Sequence, residues 1–110
     1  MTSKNNTSAP FVSDLAGTDL AELVEMFVAE LPDRITAIEK ASRDHDLAKL
    51  GTLAHQLKGA AGGYGFSSIT ESAMHVEHGT KTHENAAALD SQVGELVALC
   101  RRTTAYARTG

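Results

Sequence analysis

The stretch LAKLGTLAHQLKGAAGG, residues 47–63, decides how this chain folds. Leu47, Leu50, Leu53, Ala54, Leu57 and Ala61, with Tyr64 just beyond, recur at intervals of three and four. That is the spacing of a helix buried along one face. At about 100° per residue, His55 lies roughly 160° from the centre of that stripe, so its ring points away from the core. Ala48, Gly51, Gly59 and Gly62 stand four and seven residues either side of the histidine. Residues so spaced stack along one helix face, and none of these four has more than a methyl group. Each glycine in a helix interior costs about 0.5–1 kcal/mol relative to alanine. Three of them on an outward face point to a need for access at the level of the backbone. Close packing of a second helix against the small residues is the competing explanation.

Working outward, three further helices are expected. Asp19 and Glu22 have the spacing of a capping box, opening a helix whose apolar residues are Leu20, Leu23, Val24, Phe27, Val28, Leu31, Ile35 and Ile38. Pro32 falls inside this stripe, which resumes in phase, so a bend is predicted rather than a break. The polar link at 42–46 supplies an N-cap for the helix of residues 46–63, and the glycines of 62–65 end it. Ser68 with Glu71 is a second capping-box pattern, for a helix carrying Ile69, Ala73, Met74 and Val76 and stopping near Gly79. A fourth helix starts around 82–85, carries Ala86, Leu89, Val93, Leu96, Val97 and Cys100, and reaches about Tyr106. No segment alternates with period two. The lengths and short links specify an all-α, antiparallel up-down four-helix bundle over residues 11–110. Residues 1–10 read as a disordered tail, and Phe11, Val12 and Leu15 as a short segment capping one end of the bundle.

Composition narrows the function. A chain of 110 residues with net charge −4 and ten scattered basic residues lacks the footprint of a nucleic-acid binder. Its single cysteine, Cys100, allows neither an intrachain disulfide nor a cysteine zinc cage, and its phase in the last helix makes it a core residue. Nothing resembles a membrane span or signal peptide, so a cytoplasmic location is expected, and the mainly polar outer faces of the helices favour a monomer. There is no phosphate-cradling glycine loop and no acidic magnesium cluster beside the histidine. An outward-facing imidazole nonetheless carries a ring lone pair when neutral, and Lys58, one turn on, is the nearest charge in sequence. An ammonium there suits anionic oxygens arriving at the ring. A histidine that takes phosphoryl groups without nucleotide machinery must receive them from a partner.

His55-Gln56-Leu57-Lys58-Gly59, followed by Gly65, resembles the H-x-L-K-G signature and downstream glycine of histidine phosphotransfer (HPt) domains. The likeness extends to the phase of Phe27, the Leu31-Pro32 step and the spacing of Ala73 and Glu77. It implies a free-standing, bacterial-type phosphorelay protein, not a turnover enzyme, that exchanges phosphoryl groups with receiver-domain aspartates of a hybrid sensor histidine kinase and a response regulator. His55 would be phosphorylated on Nε2, Lys58 would neutralise phosphate charge, and Gly59 would give the receiver clearance. Ala48, Gly51, Thr52, Gln56 and Gly62 would belong to the docking surface. No cofactor is expected on this chain; the magnesium ion would sit on the receiver. The Gly62-Gly63 pair departs from many relatives and predicts a looser helix end.

Two other readings compete. The same bundle could bind receivers without accepting phosphate. His75, His78 and His83, with Glu71 and Glu77 nearby, could hold a divalent metal, although solvated residues near a helix end explain them as well.

Overall fold

The computed structural model describes residues 21–82 and 85–109, with side chains as far as Thr104. The expected tail, the capping segment, Asp19, Leu20, His83 and the side chain of Tyr106 lie outside the described residues. The chain forms α1 (Ala21–Arg43), α2 (Leu47–Gly63), α3 (Ser67–Thr82) and α4 (Ala86–Thr109), and the described residues contain no strand. Each helix packs against two neighbours, α1 and α3 both lying between α2 and α4, and the α2–α3 contact is the most extensive. Along that contact Gly51 faces Thr80, His55 reaches Glu77, and Gly62 faces Thr70, so the two helices run antiparallel.

The helical stripes build one aliphatic core. Leu31, Ile38, Leu50, Leu57, Ile69, Val76, Leu96 and Cys100 are fully buried. Phe27, Tyr64 and Phe66 close one end, with ring centroids 5.6 and 5.2 Å from that of Phe27. Burial pushes the Cys100 thiol up to about 12, making it a core residue with no thiolate chemistry near neutral pH.

Several expectations from the sequence change at element edges. Leu23 stands 43% exposed rather than in the core. It lies about 80° from the centre of the α1 stripe and close to the helix start. Met74 is also exposed, as is Ala86. α1 runs unbroken through Pro32, as its in-phase stripe predicts. Ser67 is already helical, so Ser68 sits inside the first turn of α3 and cannot cap it; α3 then continues through a buried Gly79 to Thr82. Packing has overridden the local glycine signal there. The cap expected for α2 does form, Asp46 Oδ1 accepting the Lys49 N–H at 3.1 Å, and Asn85 Oδ1 caps α4 in the same way, accepting the Ala88 N–H at 2.8 Å.

Two turns of the same construction set the lengths of α2. After α1, the Asp46 N–H bonds the Ala41 carbonyl at 3.0 Å, with His45 at φ 57°. After α2, the Phe66 N–H bonds the Ala61 carbonyl at 2.9 Å, with Gly65 at φ 83°. Gly65 is therefore the glycine that turns the chain, while Gly62 and Gly63 remain helical. The tight turn after α2 brings α3 straight back along the histidine.

Candidate functional site

α2 buries Leu50, Ala54, Leu57 and Ala61 and so presents His55 on its far side. The His55 side chain is 65% exposed. Its immediate surroundings differ from expectation in one respect: the nearest charge is Glu77 of α3, not Lys58. Glu77 Oε2 lies 3.0 Å from His55 Nδ1 and 3.1 Å from Lys81 Nζ, and Oε1 lies 2.8 Å from Lys58 Nζ. Three side chains from two helices thus converge on one carboxylate that is only 10% exposed. Expected as a surface residue or a metal ligand, Glu77 is instead the hub of this cluster.

The electrostatics follow from that geometry. The Lys58 ammonium is the main reason the Glu77 carboxyl is held at about 2, with Lys81 and His55 assisting against the opposing effect of burial. At neutral pH the group is therefore ionised, and an ionised carboxylate can only accept hydrogen bonds. The His55 Nδ1 must then be the protonated nitrogen. In the neutral ring this leaves Nε2 with its lone pair, pointing away from Glu77. The arrangement supplies an oriented nitrogen nucleophile at the surface, with cationic charge within reach of it.

The row of small residues around His55 divides in two. A Cβ added at Gly59 would meet nothing within 4 Å, and one at Gly62 would make only ordinary contacts with Thr70, at 3.7 and 3.9 Å. At Gly51 a Cβ would stand 2.8 Å from Thr80 Oγ1, and that hydroxyl is engaged with the Glu77 carbonyl at 2.7 Å. Gly51, expected on the docking surface for access, is thus needed for close packing of α3. Ala48, Thr52, Gln56, Gly59 and Gly62 are exposed. A hollow of about 590 Å³ beside His55 is lined by Ala48, Gly51, Thr52, Glu77, Thr80 and Lys81, with Leu47 at its edge.

Of the alternative metal cluster, the described carboxylates and histidines do not share one face. Glu77 is about 200° around α3 from His75 and faces α2, while Glu71 and His75 line a separate hollow with Ser72, Glu95 and Arg102. Among the described residues no three His, Cys, Asp or Glu side chains gather to hold a metal. Also among them, no helix is long and apolar enough to cross a membrane.

Lys81 and Thr80 were not singled out from the sequence. Glu77 and Lys81 are four apart, a spacing that pairs charges on a helix; that this pair turns towards His55 depends on how α3 is rotated. Comparison with curated proteins gave no match, and comparison with solved structures gave none either. Comparison with protein families matched the Hpt domain over residues 22–104, a span running from the start of α1 to the end of the buried part of α4. The chain belongs to the Hpt domain family, and its role is histidine phosphotransfer in a phosphorelay, in contact with receiver domains of two-component systems.

Proposed function

We propose that His55 is the residue phosphorylated, on Nε2, receiving the group from the aspartyl phosphate of a hybrid kinase's receiver and passing it to a response-regulator aspartate. The observation that carries this reading is the Glu77–Nδ1 hydrogen bond, which leaves the exposed Nε2 bare. The Nε2 lone pair forms the N–P bond while the P–O bond to the aspartate breaks, and the electron pair of that bond returns to the carboxylate. The ring gains positive charge and keeps its Nδ1 proton, which Glu77 holds. Onward transfer runs these steps in reverse. Catalysis on this side is positioning and charge neutralisation. The magnesium ion and acidic pocket would belong to the receiver, and this domain would act as a monomer without a cofactor.

Lys58 contributes to this reading in a different way than its sequence position suggests. In the resting domain its ammonium is committed to Glu77, so it keeps that carboxylate ionised and aimed at the ring. Ala48, Thr52, Gln56, Gly59 and Gly62 would form the open rim against which a receiver docks.

Incubation with a phosphorylated receiver domain tests the proposal. An acid-labile, base-stable phosphate is expected on the wild-type domain and none on His55→Gln. Equal labelling of the two proteins would remove His55 from the mechanism.

A further inference from the structure

The Glu77 cluster holds one more cation than it needs. Lys58 and Lys81 set two ammoniums against a single carboxylate, so with a neutral ring the resting cluster has one positive charge left over. The group that moves in phosphotransfer, a PO₃ unit, carries one net negative charge. Adding it to the ring brings the cluster to neutrality, provided one ammonium can leave Glu77 to meet the phosphoryl oxygens.

The two lysines are not equivalent candidates. Lys58 has Oε1 to itself at 2.8 Å and is 31% exposed. Lys81 reaches Oε2 at 3.1 Å and is 70% exposed, and it shares that oxygen with the ring Nδ1–H. If Lys81 leaves, Oε2 still has the ring as a partner; if Lys58 leaves, Oε1 has none within the cluster. Lys81 also lines the hollow beside His55, whereas Lys58 does not.

We propose that Lys81 is the cation that binds the phosphoryl group, exchanging Glu77 Oε2 for the phosphoryl oxygens on His55 while Lys58 stays on Oε1. This rests on the assignment of His55 as the phosphoacceptor. The bond balance is that of the transfer itself: an N–P bond forms, a P–O bond breaks, and Lys81 keeps its three protons, changing only their acceptors. A long side chain largely in solvent makes this exchange without moving either helix.

The test compares Lys81→Ala, Lys81→Arg and Lys58→Ala in transfer from a phosphorylated receiver, after the wild type and His55→Gln have established that His55 is labelled. A charge-assisted hydrogen bond to the phosphoryl group is worth about tenfold or more in rate and equilibrium. Lys81→Ala is expected to slow transfer by that factor and to shift the phosphoryl equilibrium towards the receiver, with only the small loss of folding stability that an exposed ion pair carries and with affinity for the unphosphorylated receiver unchanged. Lys81→Arg should recover most of the loss. Lys58→Ala should disturb the Glu77–His55 hydrogen bond, seen as a change in the ring ¹⁵N shifts of His55, which Lys81→Ala leaves in place. Wild-type rate and equilibrium in Lys81→Ala would overturn the proposal while leaving the role of His55 standing. So would a loss in Lys81→Ala that Lys81→Arg fails to recover.

Discussion

Gly51 and Gly59 stand four residues before and after the same histidine, on the same side of the same helix, yet their surroundings are opposite. A methyl group at Gly51 would press on Thr80 at 2.8 Å, and one at Gly59 would touch nothing. One glycine brings α3 in close; the other leaves the surface bare. The difference teaches that a run of small residues can serve two purposes at once. Because α3 approaches closely at Gly51, Glu77 reaches the ring one turn further along. Because nothing covers Gly59, the ring can be reached from outside.

Leucine at each position should separate these roles most strongly. Gly51→Leu is expected to lose about 3 kcal/mol of stability through overpacking against Thr80, whose hydroxyl would have to give up its bond to the Glu77 carbonyl, and to lose transfer with it. Gly59→Leu should change stability by less than roughly 1 kcal/mol while slowing transfer from a receiver. Denaturant titration and transfer rates on both variants check the contrast. Equal destabilisation at the two positions would erase the distinction.

A smaller effect concerns the hub that the Gly51 contact brings into place. Glu77 is held at about 2 in the folded domain, below its ordinary 4.5. A depressed carboxyl stabilises the fold in full above its unfolded value, and the contribution fades as pH falls through 4.5 towards about 2. The stability difference between wild type and Glu77→Gln should therefore be level above about pH 5.5 and shrink below it. A difference that stays constant down to pH 2.5 would show that Glu77 gains nothing from its partners.

The same division explains what could be read from the sequence. Apolar spacing located four helices and most of the core, because Leu50, Leu57, Ile69, Val76 and Leu96 answer to a helical period and nothing else. Spacing also placed His55 on the outward side of α2, since that depends only on one helix's own geometry. What could not be read were relations between helices. Glu77 belongs to the site because of the rotation of α3, and Gly51 belongs to a contact because of its distance from Thr80. Leu23 and Ser68 were misplaced at helix ends, where a shift of one residue moves a side chain across the boundary of a stripe or a cap.

Nucleophilic attack by His55 depends above all on which ring nitrogen carries the proton. Long-range ¹H–¹⁵N NMR of the unphosphorylated domain, at a pH where the ring is neutral, measures this directly. The hydrogen bond to Glu77 predicts a protonated Nδ1 and a bare Nε2, with that preference lost in Glu77→Ala. A ring protonated on Nε2 in the wild type, or a pattern unchanged by Glu77→Ala, would contradict it.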